Sequence, residues 1–133
     1  MQTFLPLPDY LDSMRCLDKS RLGNQVWREG ITLIRGGWVN HPASKMWRGH
    51  EYHLGLYLLC GIAVLGQRGK FYSEIKQKIL IEMEKFSDNG PPPWLGNVEF
   101  HASHRSNLIR KDPIHYGQFG WSEPPNLPYV WPV

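Results

Sequence analysis

The densest group of side chains able to do chemistry is the run His101-Ala102-Ser103-His104-Arg105-Ser106-Asn107-Leu108-Ile109-Arg110-Lys111. It crowds imidazoles, hydroxyls, an amide and three cations together without a single carboxylate. On a helix, His101, His104, Arg105 and Leu108 fall along one side. Such donors suit phosphate oxygens or base edges, and a guanidinium fork can hold two oxygens at once. Arg105, Asn107, Arg110 and Lys111 are therefore candidates for binding a ligand.

Two other segments add to this set. Lys19, Arg21, Asn24, Gln25 and Arg28 lie within a few turns of one another. Further on, Trp47-Arg48 stands beside His50 and Glu51, where an indole for stacking and a cation for phosphate would suit a nucleotide. Trp47 is equally suited to the core. Glu51 is the carboxylate best placed among basic groups, a candidate to move a proton or orient a partner. His50-x-x-His53 and His101-x-x-His104 have a spacing that metals use. No His-Glu-x-x-His order and no Cys-x-x-Cys pair accompanies them, so neither metal nor cofactor is expected. There is no Gly-rich phosphate loop and no Gly-x-Ser-x-Gly elbow.

The elements that must position these residues read as helices throughout. Pro6 and Pro8 enforce an extended N-terminal arm. Asp9 caps a helix to about Leu17, and Asp18 caps a second from Lys19 to about Arg35. Gly23 and Gly30 each weaken that second helix by roughly 1 kcal/mol relative to alanine, so tertiary packing must compensate. Gly36-Gly37 ends it. Pro42 suits the first turn of a long helix reaching about Leu65, polar at its start and apolar at its end. A further amphipathic helix covers about Tyr72 to Phe86, with Ile75, Ile79, Leu80, Met83 and Phe86 inward. Asp88–Pro93 is a stiff connector, and a last helix lies within Asn97–Arg110. The tail from Gly117 carries prolines among Trp121, Tyr129 and Trp131, aromatics that can anchor it across the helices. The expectation is an all-α, compact single-domain bundle of about four to five helices spanning residues 1–133, with an extended arm and a Pro/aromatic-rich tail.

Composition agrees with a globular protein and leans towards an anionic partner. The chain has 133 residues, 41% hydrophobic and 20% charged, with a net charge of +3, which suits DNA or a nucleotide without requiring one. Cys16 and Cys60 read as two free thiols in a reducing compartment. The start lacks the pattern of a signal peptide, and the apolar stretch Leu54–Leu65 is too short to cross a bilayer, which needs about 20 residues. A cytosolic location with no membrane partner is expected; the oligomeric state is not legible.

Seven segments carry a resemblance to a known family: Thr3-Phe4-Leu5-Pro6, Leu17-Asp18-Lys19-x-Arg21-Leu22-Gly23, Asn40-His41-Pro42, Met46-Trp47-Arg48-Gly49, Pro93-Trp94-Leu95-Gly96, His101 through Pro113, and the tail motifs Phe119-Gly120-Trp121 with Leu127-Pro128-Tyr129-x-Trp131-Pro132. Together they resemble the pyrimidine-dimer DNA glycosylases of the endonuclease V type, in a bacterial and phage branch. The resemblance implies an all-α fold and glycosylase plus abasic-site lyase activity on DNA. It also implies a nucleophilic α-amine on a small residue exposed by methionine removal, with a glutamate on the next helix. Here position 2 is Gln2, which keeps Met1 in place, and Arg21-Leu22-Gly23-Asn24-Gln25 shows no glutamate where one is expected. Arg21 matches a DNA-contacting arginine of the family.

Two readings follow. In the enzyme reading, Met1, Arg21, Glu51, His101 and His104 carry N-glycosidic chemistry on DNA. In the other, a non-catalytic pocket captures a nucleotide or a nucleotide-derived immune signal. Thr3, Gln25, His41, Trp47, Arg48, Arg105, Asn107, Arg110 and Lys111 line the ligand in either case.

Overall fold

Side-chain caps start most of the helices. A computed structural model describes residues 2–132. Asp9 accepts from the Asp12 amide to open α1 (Tyr10–Cys16), and Asp18 accepts from the Arg21 amide to open α2 (Lys19–Asn24). From Asn24 the rod continues without a break through a π-helical turn, Gln25–Gly30, into α3 (Ile31–Ile34). The expected helix to Arg35 is thus present, with a widened turn inside it.

The widened turn answers why Gly30 is tolerated there. A Cβ at Gly30 would lie 2.2 Å from Leu58 Cδ2 and 2.3 Å from the Gln25 carbonyl oxygen. The Leu58 side chain lies directly against the rod at that point, and a Cβ has no room. Gly30→Ala is expected to cost roughly 1–3 kcal/mol through overpacking, read as a lower unfolding midpoint in denaturant. A loss no larger than that of an exposed alanine substitution would show that the contact yields.

The long helix expected from Pro42 to Leu65 is two helices. His41 caps α4 (Pro42–Trp47), the chain turns at Gly49 with φ +85°, and α5 runs Glu51–Gln67. Glycine adopts that left-handed backbone without strain, which makes it the breaking point. α6 (Ser73–Met83) buries Ile79 and Met83; Ile75, Leu80 and Phe86 are only half-buried. Asn97 caps α7 (Val98–Lys111), and Asp112 caps a short α8 (Pro113–Tyr116) that the sequence reading left out. A turn of 3-10 helix, Gly117–Phe119, follows. These breaks and additions give more segments than the expected four to five, and no strand occurs among the described residues.

α5 is the hub. It packs against α1, α2, the π-turn, α3 and α6, and it buries Leu54, Tyr57, Leu58, Val64 and Leu65. These join Leu5, Met14, Leu22, Trp47, Phe100, Leu108 and Tyr116 in one apolar cluster. Burial of such side chains contributes about 1.5–3 kcal/mol each before the entropy of ordering is subtracted. Cys16 and Cys60 are free thiols. No helix is long and apolar enough to cross a membrane among the described residues.

The arm is extended, but it is no surface strap. Residues Gln2 to Pro6 are buried, and side chains from three helical segments, the π-turn, α5 and α7, hold their backbone. A buried extended segment has amides and carbonyls that must be paired individually, because no helix or sheet ladder does it.

Candidate functional site

The pairing of that arm accounts for most of the polar residues singled out in the sequence. Gln25, at 1% exposure, uses its whole amide. Its Oε1 accepts from the Phe4 amide (2.8 Å) and the Tyr57 hydroxyl (2.8 Å), and its Nε2 donates to the Gln2 carbonyl (2.7 Å) and to Glu29 Oε2 (3.1 Å). The Leu5 amide donates to His104 Nδ1 (2.8 Å). His101 Nε2 accepts from the Gly96 amide (2.9 Å), which leaves Nδ1–H to donate to the Leu5 carbonyl (2.8 Å). Arg105 donates to the Pro6 carbonyl (2.8 Å) and pairs with Glu123. Trp47, 1% exposed, donates its indole N–H to Thr3 Oγ1 (3.0 Å).

His101, His104, Arg105, Thr3, Trp47 and Gln25 therefore converge, on the arm. Burial drives the His104 imidazole down to about 3, with His101 adding to the shift, and burial lowers His101 as well. Both rings are held neutral at pH 7.

The tail is fixed in the same manner from the other side of α7. Asn107 donates to the carbonyls of Ser103 (2.8 Å) and Leu127 (3.0 Å), and accepts from Arg110. Ser106 accepts from the Leu127 amide (3.0 Å), and Ser103 from the Val130 amide (3.2 Å). Tyr129 and Trp131 are laid half-buried against the helices by these bonds.

What the arm and tail frame together is a recess of about 340 Å³, lined by Gln2, Phe4, Ser20, Arg21, Asn24, Gln25, Glu29, Lys111 and Tyr129. Three of the expected ligand or catalytic residues meet here: Arg21, Gln25 and Lys111. Arg21 is steadied by Asp18 at 3.1 Å. Lys111 is pushed below its ordinary range by burial and by the neighbouring Arg110 and Arg21, while Glu29 pulls it back. Glu29 is the carboxylate among them. Its charge reaches His41, Tyr57, Lys111 and Tyr129. The Gln2 side-chain nitrogen is buried and has no hydrogen-bond partner among the described residues, a state that protein interiors seldom leave to a donor.

The remaining expected residues stand elsewhere. Met1 lies outside the described residues. Glu51 accepts from the Gly49 amide at 2.7 and 3.1 Å, next to the start of α5. It lines a separate cavity of about 470 Å³ with Arg35, Arg48, Glu82 and Lys85. Arg48 is exposed and donates to the Val39 carbonyl (2.8 Å). His41 caps α4 through Nδ1, which accepts from the Ala43 amide (3.0 Å), and burial lowers its imidazole. His53 of the other histidine pair contacts the Tyr10 hydroxyl (3.0 Å) and Asp88 (3.3 Å).

Glu29 is the residue that sequence reasoning missed. The signal was its spacing: Arg21, Gln25 and Glu29 recur every four residues along one rod, and the π-turn keeps the last two side by side. π-bulges inside α-helices often mark functional sites.

Residues 1–80 match the model of a family described as pyrimidine dimer DNA glycosylase. The chain belongs to that family. No curated protein and no solved structure matches it. The stretch shared with the pyrimidine dimer DNA glycosylases holds the arm, α1 to α5 and the π-turn, and with them Arg21, Gln25 and Glu29. Lys111 and Tyr129 reach the same recess from beyond it.

Proposed function

We propose that this protein acts on DNA as a base-excision glycosylase and abasic-site lyase, with the Glu29 recess as its active site. The observation that supports it is the Gln25 amide, which holds the Gln2 carbonyl at 2.7 Å and the Glu29 carboxylate at 3.1 Å. One side chain thereby bridges the Gln2 backbone and an acid–base group. In this reading an unprotonated amine attacks the sugar carbon, the bond from that carbon to the base or hydroxyl breaks, and a Schiff base forms. Glu29 accepts and returns the protons. The amine is that of the first residue, and Arg21 and Lys111 receive the flanking phosphates.

Borohydride trapping on duplex DNA bearing one abasic site tests the assignment. The wild-type protein is expected to form a covalent adduct. Glu29→Gln should lower its rate of formation at least about 100-fold, the scale of a lost general acid–base group. Glu51→Gln should leave it within a few-fold. An unreactive wild-type protein, or a Glu29→Gln variant as fast as wild type, overturns the reading.

A second reading draws on the same walls. Arg21 and Lys111 flanking a recess of about 340 Å³ would also hold the phosphate of a free nucleotide, captured without turnover. Calorimetry with nucleotides and cyclic dinucleotides separates the two, because tight binding without any DNA adduct belongs only to capture.

A further inference from the structure

One residue of this chain stands in a backbone conformation that its type rarely adopts. Trp38 has φ +56°, the one non-glycine residue with positive φ among those described, and its side chain is 57% exposed. A bulky residue in the left-handed region is strained, and such strain persists only where the surroundings over-determine it. They do so here. The His41 amide donates to the Trp38 carbonyl (2.8 Å), the Gly37 amide to the Thr32 carbonyl (2.9 Å), Ser44 to the Gly37 carbonyl (3.1 Å), and Arg48 to the Val39 carbonyl (2.8 Å). Four bonds on the Gly37–Val39 backbone keep an indole more than half exposed to solvent. Packing does not explain that arrangement; a ligand for the indole face does.

The position of Trp38 indicates which ligand. Its ring meets His41 edge to face at 6.4 Å, His41 meets Trp131 at 5.8 Å, and Trp131 meets Tyr129 at 5.6 Å. Tyr129 lines the Glu29 recess. An unbroken line of rings thus runs from the exposed indole to the recess. Lys45 and Arg48, both exposed, stand on the segment that follows His41. Aromatic faces in series with cations alongside are the pattern that holds unpaired bases and their phosphates. Trp47, the indole that the sequence suggested for stacking, is buried, whereas Trp38 is the most exposed tryptophan among the described residues.

We propose that Trp38 is a stacking platform for an unpaired nucleobase adjoining the Glu29 recess, exposed when a strand is opened there. The proposal rests on the DNA-directed reading of that recess. It assigns the turn to single-stranded or locally opened DNA, whereas charge alone governs the hold on intact duplex.

Binding is to be measured by anisotropy on three probes of one sequence: single strand, duplex with one abasic site, and intact duplex. Trp38→Ala is expected to weaken binding to the first two by about tenfold or more, within the range for loss of one base–aromatic stack. Affinity for intact duplex should hold. Trp38→Phe should restore most of the lost affinity while removing the quench of Trp38 emission expected on binding single strand. Trp38→Gly separates binding from folding: it relieves the strained backbone, so the melting temperature should rise as single-strand affinity falls. Unchanged single-strand affinity in Trp38→Ala, or an equal loss on all three probes, overturns the platform even if the wild-type protein still traps on abasic DNA. A wild-type protein that neither binds nor traps on any probe sinks the recess assignment and the platform with it.

Discussion

Gln25→Leu is expected to lower the unfolding free energy by roughly 3–5 kcal/mol, a loss few single substitutions reach. The leucine fits the volume but leaves the Phe4 amide and the Gln2 carbonyl buried and unpaired, and it takes a partner from Glu29 and the Tyr57 hydroxyl. Each orphaned buried group costs about 1–3 kcal/mol. Tyr57 keeps a second acceptor in the Phe4 carbonyl at 2.7 Å, so the tyrosine adds little to the total. Urea unfolding reads the loss directly. A change below about 1 kcal/mol would mean that water replaces the glutamine amide, and that the arm is less sealed than its burial indicates.

Acidification should act on the same arm from the α7 side. His104 titrates near 6.5 when unfolded, but burial lowers it to about 3 in the folded protein. Between those values only the unfolded chain takes up the proton. Stability is therefore whole above about pH 6.5 and falls as the pH drops towards 3, by about 1.4 kcal/mol per pH unit. The expected loss from pH 7.5 to 4.5 is roughly 3 kcal/mol. His101, lowered in the same direction, adds to it. Denaturant unfolding at the two pH values measures the slope, and His104→Gln should flatten it, since glutamine can accept from the Leu5 amide without titrating. An unchanged slope in that variant would assign the acid sensitivity to other groups.

Local pattern was enough to place α1 and α7 nearly to the residue, because Asp9 and Asn97 are strong caps, while α6, whose start has no side-chain cap, stops at Met83, short of the expected Phe86. It failed where a partner lies far away in sequence. His101, His104, Ser103 and Asn107 share the buried side of α7 with Phe100 and Leu108, and polar residues on such a face look free for a ligand until their partners are known. Those partners are backbone atoms of the arm and the tail, which carry no sequence signature at all. The break at Gly49 was hidden for a related reason: an isolated glycine inside a helical pattern is often tolerated, and here its φ decides. Glu29 escaped notice because a carboxylate was sought beside Arg21, whereas the rod delivers it two turns later through a widened turn.

The bonds of the arm also impose an order of events on the growing chain. Leu5 is paired to His104, 99 residues onward, and Pro6 to Arg105, again 99 residues onward. Contacts of such separation must wait for a loop of 99 residues to close. On the ribosome, the arm consequently reaches its native place only once α7 has been made. The recess they help to wall is assembled only after α7 has emerged. Until α7 is in place nothing locks the arm beside Arg21 and Glu29, so no closed recess exists to hold a base or a nucleotide, whatever charge the unfinished chain presents to a duplex.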